Sequence, residues 1–207
     1  MLVYIPKYYI MEGKQAKVEF IRKNSFGVMF SRHEDAPWAT HTPFIYAEKA
    51  DGHDVLLGHM ARANPQWKDM DSQKVLVVFQ GPHAYISPSW YIEKNQVPTW
   101  NYVAVHVTGT ARVLDHAGTR EVVAGLLSFY RSDANLIESL RDEPFRSLLK
   151  ATVGFSIVIE KLEGVTKLNQ NKSTASRANV AEQLLASENP TTKELGRTMK
   201  DYISFNE

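Results

Sequence analysis

Three stretches of sequence indicate the fold of this chain: GHMARANPQW at 58–67, VLVVFQGPHAYISPSWY at 75–91 and VPTWNYVAVHVTG at 97–109. Each contains or directly follows a short apolar, β-branched run of the kind found in buried strands. All four tryptophans lie between residues 38 and 100, among many His, Asn, Gln and Ser side chains. Because buried polar groups need partners, this composition indicates a ligand site, and it suits a planar, polar, phosphorylated ligand.

Short apolar runs recur at close spacing outward from these stretches. The pattern predicts strands at 25–31, 38–44, 54–59, 74–80, 103–114 and 153–162, with a hairpin turn at 34–37. Short strands joined by hairpin-sized turns favour an antiparallel closed or half-closed barrel over a βαβ sheet. The chain contains neither GxGxxG nor GxxxxGK[ST], which excludes a Rossmann pyrophosphate turn and a P-loop.

Helical periodicity is confined to the segments that flank these strands. Helices are predicted at 15–22, 119–131, 145–152 and 176–187, and a last helix begins with a capping box formed by Thr191 and Glu194. The predicted fold class is therefore mainly β with flanking helices. A chain of 207 residues can bury one sizeable core, so we expect a single domain over 1–207 with a mostly helical portion from about residue 176.

The composition is that of an ordinary globular protein, with 43% apolar and 23% charged residues. The first residues lack the pattern of a secretory signal, and no run reaches the length of a membrane helix, so we expect a cytoplasmic protein with no membrane contact. The absence of cysteine excludes disulfides, thiolate nucleophiles and zinc–thiolate sites. A net charge of +1 gives no strong field toward DNA or anionic lipid.

Two other kinds of site find little support. Neither HExxH spacing nor a carboxylate cluster accompanies the histidines near the predicted strands, which are His41, His59, His83 and His106. A Ser-His-Asp hydrolase is disfavoured because no GxSxG elbow occurs and prolines surround Ser87 and Ser89. We therefore expect no metal site and assign no catalytic residue.

Six motifs resemble those of the PaiB-type FMN-binding negative transcriptional regulators. They are YIPKYY at 4–9, ATHTPF at 39–44, GHMARANPQW at 58–67, VVFQGPHAYISPSWY at 77–91, VPTWNYVAVHVTG at 97–109 and KLNQNKS at 167–173. The resemblance covers nearly the whole chain in the right order. The chain departs from it at Asn169, where the family pattern carries serine, and this departure changes the reach of the side chain.

The resemblance implies an FMN-binding split β-barrel of the kind shared with pyridoxamine-phosphate oxidases and flavin reductases. It also implies a homodimer with one FMN in each of two clefts at the subunit interface, and promoter DNA as a partner. Direct DNA binding lacks support from the residues themselves. There is no helix-turn-helix signature, and acidic and neutral residues dilute the most basic region, at 161–177.

Arg62 is the predicted phosphate ligand, because a guanidinium offers a bidentate fork to phosphate oxygens. His59 and Asn64, placed on the same short turn, are predicted to support it. An ion pair between Arg62 and Asp69 is the alternative. Thr40 and Thr42 flank His41 with a period of two, so the two hydroxyls share one strand face. We expect one of the two faces to contact the flavin. The alternative to a ligand-binding role for His41 is a histidine that is buried in the core with its hydrogen bonds made.

The remaining candidates for the flavin ring and ribityl chain follow two strands. The first set is Gln80, His83, Tyr85 and Ser87, and the same segment contains Trp90. Pro82 and Pro88 predict that this segment is a rigid loop. The second set is Trp100 and Asn101, which begin the next strand together with Tyr102. The tryptophans equally suit a core or a dimer interface. Lys167, Gln170 and Asn171 offer donors to pyrimidine carbonyls or to the phosphate, with a plain polar loop as the alternative.

Two classes of function remain open. The first is an FMN-binding repressor in which the flavin reports redox state or a metabolite. The second is a flavin-dependent oxidoreductase or flavin reductase without direct DNA binding, with His83 and Tyr85 as the residues to test first.

Overall fold

The computed structural model describes residues 4–48, 52–130, 134–140, 142–143 and 145–205. The apolar, β-branched runs form six strands: β1 Phe26–His33, β2 Ala36–Glu48, β3 Asp54–Ala61, β4 Lys74–Ile86, β5 Thr99–Val113 and β6 Thr152–Lys167. The amphipathic segments form helices: α1 Lys14–Lys23, α2 Trp67–Met70, α3 His116–Phe129, α4 Ala134–Ser139, α5 Phe145–Lys150, α6 Thr174–Leu185 and α7 Pro190–Phe205. Every predicted strand is present.

The strands close into an antiparallel barrel in the order β1-β2-β3-β6-β5-β4. β1 and β2 form the predicted hairpin, in which His33 pairs with Ala36 across the turn residues Glu34 and Asp35. Both turn residues have positive φ, at 48° and 61°, as two-residue hairpin turns of the primed types require. The prediction of an antiparallel barrel with flanking helices is therefore confirmed.

The chain divides into two compact units. The central unit comprises residues 14–79 and 105–162, and the terminal unit comprises 1–13, 80–104 and 163–207. Strands β4, β5 and β6 contribute residues to both. The single domain expected over residues 1–207 stays a prediction.

Aromatic packing fills the core of the central unit. The ring of Phe44 lies 5.5 Å from Phe79 and 6.0 Å from Phe155 between centroids, in edge-to-face arrangements that aromatic pairs prefer. Gly58 permits this packing, because a Cβ there would lie 2.7 Å from the Phe155 ring. Helix α3 packs against β2 and β3.

The terminal unit has its own core. Helices α6 and α7 pack on each other and bury Val180, Leu184, Leu195 and Met199. Tyr9 and Val165 form a smaller cluster together with Ala104. Ser173 caps α6 by accepting a hydrogen bond from a backbone N–H of its first turn, and in the central unit Asp115 caps α3 in the same way.

Three predicted local structures are wrong. Residues 81–86 belong to β4 and not to a loop. Among the described residues β1 pairs with 76–78 of that strand, so Pro82 lies outside the pairing with β1, a position that proline tolerates. α7 starts at Pro190, and Asn189 caps it by accepting from the N–H groups of Thr191 and Thr192, so the predicted capping box is absent.

The third incorrect prediction concerns the C-terminal ends of two helices. α5 ends at Lys150 because the β-branched pair Thr152 and Val153 begins β6. α3 ends at Phe129, and the predicted end of this helix at Arg131 lies outside the described residues.

Candidate functional site

A polar network in the central unit joins two predicted site residues. Asn64 donates from Nδ2 to Thr40 Oγ1 at 2.8 Å, and Thr40 in turn donates to Gln66 Oε1 at 2.5 Å. Gln66 is fully buried and passes the chain of hydrogen bonds to Ser31 Oγ at 2.8 Å. Because every member has a partner, the network fixes the segment after β3 against β1 and β2.

The two faces of β2 around His41 differ in their exposure to solvent. Thr42 is buried and donates to the His59 carbonyl at 2.6 Å, so the threonine face points inward. His41 is exposed on the outer face, where its ring stacks on Phe26 with centroids 6.3 Å apart. The alternative of a core histidine is therefore wrong for His41.

Arg62 lies just after β3 and anchors the chain there. Its Nε donates to the Lys150 carbonyl at 2.7 Å, Nη2 donates to the Thr152 carbonyl at 3.1 Å, and the guanidinium lies 5.4 Å from the Trp67 ring centroid. Its other N–H groups have no acceptor among the described residues and remain able to bind an anion. Asp69 pairs with His33 at 2.6 Å, so the alternative of an Arg62–Asp69 pair is wrong.

His59 lies within β3 and not on the turn that the sequence suggested. Its ring lines an apolar cavity, and its Nδ1 atom is buried with no hydrogen-bond partner among the described residues. Burial lowers the pKa of this imidazole, so the ring is neutral at neutral pH. The side chain therefore does not join the network of Thr40 and Asn64.

A second set of predicted residues lies in the terminal unit, on β4 and β5. Gln80 Nε2 lies 3.2 Å from His83 Nδ1, and the His83 and Trp100 rings are 6.4 Å apart between centroids. Tyr85 meets Trp100 edge-on at 6.3 Å. Tyr85 is 47% exposed and Trp100 is 54% exposed, which rules out a core role for Trp100. The set presents aromatic surface beside an amide and an imidazole.

Two neighbours of this set have structural partners. Ser87 accepts from the Ser89 N–H and starts a short 3₁₀ turn at 88–90. Asn101 is fully buried and donates from Nδ2 to Met199 Sδ at 3.5 Å, while its Oδ1 has no partner in the part of the chain that the structure describes. The bond from Asn101 connects the start of β5 to α7.

The residues after β6 converge on Tyr9 in the terminal unit. Lys167 donates to Thr99 Oγ1 at 2.6 Å with its Nζ 5.9 Å from the Tyr9 ring centroid, and burial lowers the pKa of this lysine. Tyr9 donates to Asn171 Oδ1 at 3.2 Å. Gln170 folds back on its own loop, accepting from the Leu168 N–H at 2.8 Å and donating to the Thr166 carbonyl.

Asn169 is buried in the left-handed conformation, with φ of 62°. Asparagine adopts this conformation more readily than most other residues that carry a Cβ. The departure from the family pattern therefore suits the turn that ends β6.

Sequence reasoning missed two contributors. Gln66 is the buried hub of the network around Thr40, and its place in the motif GHMARANPQW was a usable signal. Tyr9 holds Asn171, and it belongs to the motif YIPKYY. Across the described residues, no group of three or more His, Asp or Glu side chains is arranged to hold a metal ion. In the same residues, no helix is long and apolar enough to cross a membrane.

The chain is similar to known proteins over most of its length. Residues 3–161 match a family model described as "Putative FMN-binding domain". The protease synthase and sporulation protein PAI 2 of Bacillus subtilis is 40% identical over 205 residues, which cover 97% of this chain and 98% of that protein. An uncharacterized protein of Saccharomyces cerevisiae is 40% identical over 134 residues, covering 54% of this chain and 79% of the yeast protein.

A solved structure supports the fold. The flavocytochrome Anf3 from Azotobacter vinelandii superposes with a TM-score of 0.60 at 15% identity, covering 79% of this chain and 72% of that one. At this identity the likeness concerns the fold alone. Together with the strand order, it agrees with the split barrel expected from the sequence.

Proposed function

Because this chain belongs to the PaiB-type family of FMN-binding domain proteins, we propose that it binds FMN and acts in the cytoplasm as a negative regulator of transcription. The observation that carries FMN binding is the exposed aromatic pair Tyr85 and Trp100 beside Gln80 and His83. A flavin ring needs a flat apolar surface and hydrogen-bonding groups along its polar edge, and this set offers both.

Each unit, taken by itself, offers a cation that could bind the phosphate. In the central unit this is Arg62, whose guanidinium is held at one end by two carbonyls and keeps further N–H groups for an anion. In the terminal unit Lys167 and Lys172 are the alternatives. The hydroxyl and amide network of Thr40 and Asn64 fixes the segment that carries Arg62. When bound, FMN supplies a ring that accepts and returns electrons.

The remaining predicted residues have structural roles. Thr42 holds the backbone of β3 and Asn101 holds α7 by hydrogen bonds. Gln170 and Ser87 stabilise the turns of their own loops, and Asn171 accepts a hydrogen bond from Tyr9. His41 belongs to an outer face of the barrel, where we expect a second copy of the chain to bind.

We propose that the protein is a homodimer with FMN at its interface. The outer face of β1 exposes Phe26 at 63% and Phe30 at 39%, with Val28 between them. Val28 pairs with Val78 of β4 and with His41 of β2, so apolar residues of β1 and β4 lie next to each other and the His41 ring, stacked on Phe26, borders them. Apolar patches of this kind are typical of subunit interfaces.

Repression is tested by DNA binding. FMN-loaded protein is used to select genomic fragments, and its affinity for a selected fragment is compared with that for a shuffled sequence at two salt concentrations. A repressor that binds DNA directly should prefer the selected fragment at least a hundredfold, and its affinity should fall with salt. Equal affinity for both fragments contradicts direct repression.

One observation favours the second class of function. His83 and Tyr85 are side chains that can carry a proton, and both lie beside Trp100 in the proposed flavin-binding set. In an oxidoreductase they would position or protonate a substrate next to the ring. Turnover of reduced nicotinamide by FMN-loaded protein supports this class, provided that the turnover falls at least tenfold in His83→Ala or Tyr85→Phe.

A further inference from the structure

Two lysines of the terminal unit, Lys167 and Lys172, are partly buried and have only neutral partners. Lys167 donates to Thr99 Oγ1 at 2.6 Å, and Lys172 donates to the side-chain carbonyl oxygen of Gln96. Neither ammonium group forms an ion pair with a carboxylate of the described residues. Both positive charges are therefore drawn partly out of water without an opposite charge beside them.

More exposed lysines of the same chain do have acidic partners. Lys14, Lys74 and Lys200 are 59%, 68% and 49% exposed in their side chains, and each pairs with a carboxylate. An ammonium group loses hydration when it is buried, and a nearby anion normally offsets this cost. Burial accordingly lowers the pKa of Lys167. The anion that would offset the burial of Lys167 and Lys172 is missing from the described part of the chain.

A tight turn at the end of β6 holds the two lysines on either side of it. The Lys172 N–H donates to the Asn169 carbonyl at 2.9 Å, and Asn169 has a φ of 62°. Tyr9 donates to Asn171 Oδ1 at 3.2 Å, and the centre of its ring lies 5.9 Å from Lys167 Nζ. Tyr9 therefore contacts both arms of the turn and fixes the loop that carries the two ammonium groups.

The charge and the unused donors indicate the class of ligand. Each ammonium group has three N–H donors, and its one protein acceptor uses one of them. A phosphate monoester carries about 1.5 to 2 negative charges and three acceptor oxygens, so it can pair with two lysines at once, whereas a carboxylate brings one charge. Glu93 does not act as an internal counterion, because its oxygens accept from Ser173 and Ser176 at the start of α6.

We propose that Lys167 and Lys172 form a binding site for a phosphate monoester group, which accepts charge-assisted hydrogen bonds from both ammonium groups. The group belongs either to FMN or to a separate phosphorylated molecule, since both present the same chemistry. The site lies within the terminal unit and binds phosphate in the absence of flavin, so it does not rest on the proposed function.

Inorganic phosphate tests the site. Flavin-free, full-length protein is titrated in chloride buffer at constant ionic strength, calorimetry measures the affinity, and NMR follows the lysine Nζ resonances. We expect one phosphate per chain, bound about tenfold more weakly by Lys167→Gln and by Lys172→Gln, because each change removes a hydrogen bond between charged groups. Lys200→Gln is the matched control, since Lys200 pairs with Glu182 at 2.7 Å in the same unit, and it should bind as the wild type does.

Two results would overturn the proposal. One is the absence of saturable phosphate binding to the wild-type protein, and the other is wild-type affinity in both glutamine variants. If Lys167→Gln does not fold, the movement of the Lys167 Nζ resonance in the wild-type protein decides its part in the site.

FMN and riboflavin identify the source of the phosphate, because they differ in that group alone. If FMN supplies it, FMN should displace inorganic phosphate, and Lys172→Gln should weaken FMN about tenfold while riboflavin binds unchanged. If a separate molecule supplies it, the FMN-loaded protein should still bind inorganic phosphate, and Lys172→Gln should weaken that binding. Protein that binds phosphate at these lysines but binds no flavin would support the site and contradict the proposed function.

Discussion

The Nε atom of Arg62 donates a 2.7 Å hydrogen bond to the backbone carbonyl of Lys150, which attaches the segment after β3 to the end of α5. The residue assigned to the phosphate is thus also part of the framework. Its side chain is exposed, yet the bonds to two carbonyls limit its freedom. An anion that binds there meets a guanidinium that is already oriented.

Replacing Arg62 by alanine should therefore change two properties. FMN affinity should fall by about tenfold to a hundredfold, through loss of a charge-assisted hydrogen bond to phosphate. The free energy of unfolding should fall by about 1–2 kcal/mol, because the two carbonyl contacts are lost. FMN titration and urea unfolding measure these effects, and Arg62→Lys should be intermediate in both. Unchanged FMN affinity in the alanine variant would move the phosphate to Lys167 or Lys172.

Trp100 should matter for the flavin and little for the fold. Because its ring is more than half exposed, Trp100→Ala should leave the urea midpoint nearly unchanged. Loss of the aromatic contact should weaken FMN binding about fivefold, and Trp100→Phe should recover most of it. Titration of both variants with FMN checks this. Equal affinity of wild type and Trp100→Ala would remove Trp100 from the proposed site.

Glu93 should make folding stability depend on acid pH. Hydrogen bonds from Ser173 and Ser176 lower the pKa of Glu93 to about 2 from 4.5. The unfolded chain binds the proton at higher pH, so the stabilisation is complete above about pH 4.5 and is lost as the pH falls toward about 2. Urea midpoints across this range should fall more steeply for wild type than for Glu93→Gln. Parallel curves for the two proteins would count against the assignment.

A single methyl group at Gly109 should disrupt the barrel. A Cβ there would overlap the carbonyl oxygen of Val158 and lie 2.7 Å from Ile157 Cγ2. Backbone cannot yield as a side chain does, so Gly109→Ala should lower the free energy of unfolding by about 3 kcal/mol or more. Gly125→Ala is the matched control, since its Cβ would meet only the flexible end of Ile45 at 3.2 Å. Similar unfolding curves for the two variants would contradict this packing.

The strands could be predicted from sequence because their periodicity is local. Val105, Val107 and Ala111 are buried on one face of β5, as the alternation indicated. Pro82 misled the prediction, because a proline is compatible with a strand where the neighbouring strand does not pair, and pairing is a tertiary property. Asn189 and not Thr191 caps α7, and either residue type suits that position from sequence alone.

The sequence predicted which residues belong to the candidate site better than it predicted which residues they contact. The motifs contained Thr40, Asn64, Arg62 and also Gln66, but the contacts between these side chains, and the contact of Arg62 with Lys150, depend on the tertiary structure. His59 shows the same limit. Its position in a motif suggested a role with the phosphate, whereas β3 directs its ring toward the helices.

We propose that each chain of a homodimer binds one FMN. Flavin-free protein is titrated with FMN while flavin fluorescence and sedimentation are followed on the same sample. We expect saturable quenching at about one FMN per chain, in a species that sediments as a dimer. Absence of saturable binding would contradict the claim, and the region from Trp38 to Tyr102 would then be better explained as a surface for protein interaction.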